Sequence, residues 1–292
     1  MGAAGLAPQA CVMPIKVLND SGSGSFADIA EGVYRAINAG AQVINMSLGI
    51  NARYGVTSDP IMDPALDAAY QNDVTVVAAS GNDRHRKNVS YPAIYPSVIA
   101  VGATDARNVV TRYSNKGTGL DIVAPGGDID RDDNNDSYGD GVLQETSNSG
   151  SWGHYFLDGT SMASPHVAAT AALLIANGTS TPDEVFLALS STTTDLGSSG
   201  YDSTSGHGLV QAYNALTFDD GPHPVHTEKL LDTLETYDAK ATFFMVGKQM
   251  ELYPDIVKKV SLNGHSLGYH SYQHLHAKDS GFLQTYRDLK YA

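Results

Sequence analysis

Between residues 11 and 125, short apolar runs alternate with stretches whose apolar positions recur every three or four residues. CVMPIKVL (11–18) reads as a buried strand. DIAEGVYRAINAG (28–40) reads as a helix, with Ile29, Val33, Ala36 and Ile37 on one face and Gly40 at its end. QVINMSLG, VTVVAAS, SVIAVGA and LDIVAPG read as further strands, with a helix over PALDAAYQND. Apolar strands separated by helices predict a parallel sheet covered on both faces. Residues 126–153 turn polar and acidic and read as loop. SMASPHVAATAALLIANG (161–178) is a long small-residue helix. TPDEVFLALSSTT begins a second one, with Thr181 as cap, Pro182 at the first helical position and Glu184 three residues after the cap. A second α/β rhythm starts near residue 215: strand ALTFDD, helix HTEKLLDTLETYD, strand ATFFMVG, helix PDIVKKVSLNG, strand end HSLGYH and a final helix FLQTYRDLK. No Gly/Ser-rich or Pro-rich linker separates the parts, and the boundary is placed between 1–214 and 215–292.

Composition narrows the classes. With 292 residues, 42% apolar and 17% charged, the chain is globular. A net charge of −14 argues against nucleic-acid binding and against an anionic membrane surface. Cys11 is the one cysteine, so no internal disulfide framework is expected. No apolar run approaches the ~18 residues of a bilayer span. The opening MGAAGLAPQA has neither the basic start nor the apolar segment of a secretory leader.

Two sets of motifs carry chemistry. MSLG (46–49), AASGND (78–83), YPAIYPSVIAVGATD (91–105), VAPGG (123–127) and GTSMASPHVA (159–168) occur in the order found in subtilisin-like serine proteases, and residues 5–215 resemble that family. The resemblance implies a polypeptide substrate. It also implies Ser161 as nucleophile at a helix N-terminus and Asn82 as amide donor to the tetrahedral oxyanion. Ser47, Leu48 and Gly49 would line the substrate backbone. The family's base comes from an HGTHVAG-like helix and a DTG-like turn, and neither segment occurs in this sequence. His166 reads as a packing residue; His85 and His154 read as loop residues. Independent activity is therefore expected to be impaired, and a complementing chain is one way to complete the site. In the family, the Asp-bearing strand lies between those matching 11–18 and 42–47, and ALTFDD is a conceivable substitute for it.

TFDDGP (217–222) followed by HSYQH (270–274) resembles the polysaccharide deacetylases. That resemblance implies Asp219 as general base. Asp220, His270 and His274 would hold zinc or another divalent transition metal, acting on an N-acetylated polysaccharide. The fold class expected is α/β: an incomplete subtilisin-like parallel sheet with helices on both faces, then about three βα units of a deacetylase-like (β/α) barrel. Asp132, Asn134, Asp136 and Asp140 fall at positions 1, 3, 5 and 9 of an EF-hand-like spacing. Ser137 and Leu143 replace its Gly and Glu, so calcium and a solvated acidic loop both stay open. Both families point to an extracellular hydrolase; the alternative is a non-catalytic chimera of two fragments.

Overall fold

The computed structural model describes residues 5–148, 150–212, 217–236 and 241–273. The chain divides into two compact units, Met1–Gln211 and Ala212–Ala292.

In the first unit, strands β1 (Val43–Met46), β2 (Thr75–Ala79), β3 (Val98–Thr104) and β4 (Ile122–Pro125) pair in parallel in that order. Every residue of β2 and β3 is buried, as strands covered on both faces must be. On one face Val76, Ala78, Val98, Ala100 and Val123 pack with α1 (Phe26–Asn38) and α2 (Asp63–Gln71), through Ile29, Val33, Leu66 and Ala69. Alternation points Val77, Ile99 and Val101 the other way, where α3 (Thr160–Ala176) lies across all four strands. Ser25 caps α1 by accepting the Asp28 N–H. The capping box read from the sequence forms at α4 (Pro182–Ser191): Thr181 accepts the Glu184 N–H, and Glu184 accepts the Thr181 N–H.

Two expectations are corrected here. Residues 11–18 form no strand and are largely exposed, Val12 to 89%. This segment instead lays Ile15 and Val17 over Gly32 of α1, where a Cβ would lie 2.5 Å from a Val17 methyl. The outer edge of β4 is taken by residues 208–210, through Val123 N–H to Gly208 and Val210 N–H to Val123. The outer edge of β1 has no strand partner among the described residues. Second, the polar stretch ends early: Val142–Asn148 (β5) and Ser151–Leu157 (β6) form an antiparallel ribbon.

The second unit is a parallel sheet ordered β7 (Thr217–Gly221), β8 (Thr242–Met245), β9 (Ser266–Tyr269). Helices α5 (His226–Thr236), α6 (Gly247–Leu252) and α7 (Pro254–Leu262) connect the strands. Leu231, Leu234, Phe243, Met245 and Val260 form its core, and Lys259 pairs with Glu228 between α7 and α5. The short α6 has no counterpart in the sequence reading. The final helix read at FLQTYRDLK lies outside the described residues. The described part of ALTFDD pairs with β8, within the three-stranded sheet of its own unit. A strand continues the pattern of its own unit when an apolar neighbour such as Phe243 is there to receive it.

Candidate active site

Ser161 is the second residue of α3, directly after the N-cap Gly159 and Thr160. Three separate elements fix this helix start. The first is the loop after β2: Asn82 Oδ1 accepts both the Thr160 N–H and the Thr160 hydroxyl, each at 2.9 Å. A backbone N–H can only donate, so this bond fixes the amide orientation and leaves Nδ2 as the outward donor. Asn82 Nδ2 also borders Gly159, whose φ of 144° and missing side chain allow the approach; a Cβ there would stand 3.3 Å from it.

The second element is Tyr113. Its hydroxyl donates to Gly127 O at 2.6 Å and accepts the Gly159 N–H at 3.0 Å. Burial pushes this phenol up to about 12, so it stays a protonated donor at neutral pH. Asp158, on the other side of Gly159, is also raised, first by burial and then by the facing Asp128 and Asp130.

The third is the extended segment after β1. Pro165 inside α3 has no N–H to offer the Ser161 carbonyl four residues earlier. Ser47 supplies the missing donor: its hydroxyl bonds Ser161 O at 2.9 Å, and the Ser161 hydroxyl reaches back to Ser47 O at 3.4 Å. Asn45 ties the same corner together, donating to Ser47 Oγ at 3.0 Å and accepting from Ser164 at 2.5 Å. Leu48 is half-buried. Gly49 passes so close to Tyr91 O that a Cβ would stand 3.0 Å from it.

Sequence reasoning missed the residue that organises the Asn82 loop. Buried Asn115 accepts the N–H groups of Asp83 and His85 and donates to Ser80 O, Asp83 Oδ2 and Ser90 Oγ. Asp83 in turn accepts from Asn51 and Arg53, which joins two loops flanking the site. Nothing in the local sequence YSNKG signals this; the partners are 25–35 residues away.

The histidines stand elsewhere. His166 Nδ1 is bonded to Met162 O within α3 and His85 Nδ1 to Asn88. His154 lies on β6 rather than in a loop. Among the described residues, the one hydrogen bond of the Ser161 hydroxyl is to Ser47 O.

Residues 1–208 match the profile of the Subtilase family, and residues 210–291 that of Polysaccharide deacetylase. The chain belongs to the subtilase family. Subtilisin DY of Bacillus licheniformis is 39% identical over 213 residues, covering 72% of this chain and 69% of its own. Subtilisin of Bacillus pumilus is 38% identical over 219 residues, covering 74% and 71%. For subtilisin E of Bacillus subtilis (strain 168), also 38% identical, the match spans about half of that relative, 51%. Among solved structures, a lanthipeptide protease superposes with a TM-score of 0.63 at 28% identity, covering 72% of each chain. A protease from Pseudoalteromonas arctica does so with 0.62 at 36% identity, covering 72% of this chain and 63% of its own. The subtilase part is thus joined to a deacetylase-type segment in one polypeptide.

In that segment the backbone brings Asp219, Asp220 and His270 to one end of the sheet. The β7–β8 register slips between Phe218 and Gly221, so Asp219 and Asp220 fall at a bulge. His270 follows β9 directly, its N–H bonded to Met245 O at the end of β8. The side chains of Asp219 and Asp220, and all of His274, lie outside the described residues. No three His, Cys, Asp or Glu side chains gather to hold a metal among the described residues. In the acidic loop, Asp132, Asn134 and Asp136 accept N–H groups of the loop itself, and Asp140 accepts that of Asp133. These oxygens shape the turns of the loop. No helix among the described residues is long and apolar enough to cross a membrane.

Proposed function

We propose that residues 1–214 act as a serine-hydrolase half-site for polypeptides, with Ser161 as nucleophile and Asn82 as oxyanion donor. The observation that carries this reading is the double bond from Thr160 to Asn82 Oδ1, which aims the remaining amide beside the Ser161 helix N-terminus. Ser47, Leu48 and Gly49 lie where an extended peptide would pass. The hydroxyl of Ser161 meets a carbonyl rather than an imidazole, so the serine is weakly nucleophilic. The chain by itself is then an impaired endopeptidase, and a complementing chain that brings a histidine raises its activity. The uncovered outer edge of β1 beside Ser47 is a place for such a strand. The test is the rate of fluorophosphonate attachment. Slow labelling confined to Ser161, lost in Ser161→Ala and slowed in Asn82→Ala without a change in melting temperature, supports the reading. Labelling that survives Ser161→Ala refutes it.

A second reading concerns residues 215–292, favoured by the bulge at Asp219–Asp220 and by His270 at the same end of a parallel sheet, where ligands of such sheets bind. Asp220, His270 and His274 would hold a divalent transition metal, zinc first. Asp219 would take a proton from the attacking water at an N-acetyl sugar. Zinc-dependent acetate release from chitin oligomers tests it. Secretion is the setting that fits both readings. A non-catalytic chimera would give neither signal.

A further inference from the structure

From Val142 to Ser147 and from Trp152 to Leu157 the β5–β6 ribbon alternates between exposed and half-buried residues. Leu143, Glu145 and Ser147 face Phe156, His154 and Trp152 across the strands, and all six are exposed; their neighbours Val142, Gln144, Thr146, Gly153, Tyr155 and Leu157 are half-buried. One face therefore packs inward while the other presents Trp152 at 79%, Phe156 at 42% and Leu143 at 38% exposure. Tyr138, 66% exposed, extends the face, its ring centroid 6.3 Å from that of Phe156. A contiguous aromatic face on a surface ribbon is the kind of patch that marks an interaction site. Tyr138 belongs to the segment 128–140, which carries six aspartates against one arginine. Arg131 and Arg107 meet Asp133, while Glu145 adds a further carboxylate on the face itself. The bond from Asp128 N–H to Asp140 O closes the segment where β5 begins, and the Gly159 N–H to Gly126 O bond ties the base of segment and ribbon to the start of the Ser161 helix. Among the described residues each strand also keeps one edge without a strand partner, which offers main-chain bonds to an extended peptide but little to a sugar chain.

We propose that this face docks a basic, extended polypeptide segment, with Lys or Arg side chains meeting the 128–140 carboxylates and apolar ones covering Trp152 and Phe156. It rests on the peptide-hydrolase reading and names the substrate class for it. Docking does not require Ser161 to react, so binding can be measured separately from labelling. Trp152 is the sole tryptophan of the chain and reports directly. Its emission is followed while a lysine-rich peptide with two aromatic or leucine residues is added to the full chain. An acidic peptide of equal length and a glucosamine oligomer serve as comparisons. The expected result is a saturable shift with the basic peptide alone, weakening steeply between low and 0.3 M salt. The triple variant Asp128→Asn, Asp130→Asn, Glu145→Gln should bind about tenfold more weakly at an unchanged melting temperature. Phe156→Ala should weaken binding without altering its salt dependence. No shift, an equal shift with the acidic peptide, or tighter binding of the glucosamine oligomer overturns the proposal. The salt series on the unaltered chain decides the matter if a variant fails to fold. Binding with no Ser161 labelling sinks the hydrolase reading alone.

Discussion

Replacing Asn115 with Ala should damage both stability and the candidate site. The side chain is buried and makes five hydrogen bonds. Alanine would strand Ser90 Oγ in the interior, take from Ser80 O one of its two donors (the Ser90 N–H remains), and leave the N–H groups of Asp83 and His85, which are partly buried, to find water. A lost buried partner costs about 1–3 kcal/mol and a partly exposed one less, which puts the loss at about 2–4 kcal/mol. That is a large part of the roughly 5–15 kcal/mol that holds a domain together. For a unit of this size it lowers the melting temperature by ~5–15 °C. Asn115→Asp should fare no better: it keeps the two acceptors but loses the donors and buries a carboxylate beside Asp83. Chemical unfolding followed by far-ultraviolet circular dichroism measures the loss, and fluorophosphonate labelling of Ser161 reads the loop. A change below about 0.5 kcal/mol, or unchanged labelling in a folded variant, would show that Asn115 does not organise the Asn82 loop.

Thr181→Ala removes half of the α4 capping box and should cost about 1 kcal/mol in the same unfolding assay. Ser47→Ala leaves the Ser161 carbonyl without its donor; about 1 kcal/mol should be lost, with slower labelling of Ser161, and Ser47→Thr should restore both. Burial pushes Asp121 up to about 6, opposed by one N–H from Ala100. Its folded value lies above its unfolded one, so its contribution to stability falls as pH rises from about 4 to about 6. Asp121→Asn keeps an acceptor for Ala100 and should therefore stabilise by about 2 kcal/mol at pH 7 and by little at pH 4; equal effects at both pH values would contradict the burial argument. Zinc should raise the unfolding temperature of the second unit, and His270→Ala should abolish that rise; an unchanged curve would remove the metal reading.

The parts of the fold legible in the sequence are those decided locally. Helix α1 with Ile29 and Val33 inward, the Thr181–Pro182–Glu184 start of α4, and strands β2 and β3 each follow from spacing over ten residues or fewer. The failures occur where a partner distant in sequence decides. Residues 11–18 are as apolar as a buried strand, yet they pair with no described strand and lie over α1 through Ile15 and Val17. The ribbon was hidden because Glu145, Ser147 and His154 dilute its apolar positions; only the alternation of exposed and half-buried residues reveals it. At the candidate site, GTSMASP and AASGND pointed to Ser161 and Asn82, and the structure joins the two segments through Thr160. Asn115 and Tyr113 were invisible because they act through single bonds to segments 25–46 residues away.

The restraints on Ser161 are of two kinds, and they should respond differently to disturbance of the sheet. Asn82 and Tyr113 hold Gly159 and Thr160 from the loop after β2, a fully buried strand, and from the segment between β3 and β4. Ser47 holds the Ser161 carbonyl from the end of β1, the strand whose outer edge is uncovered. Local opening follows the less buried edge first. Fraying of β1 would therefore release Ser47 and Asn45 while Asn82 stays in place. The Asn82 amide would persist, and the hydroxyl of Ser161 would lose the carbonyl that orients it. A strand added beside β1 would act in the opposite sense, fixing Ser47 and with it the serine. The position of the Ser161 hydroxyl is thus coupled to occupancy of the β1 edge more directly than that of the Asn82 amide.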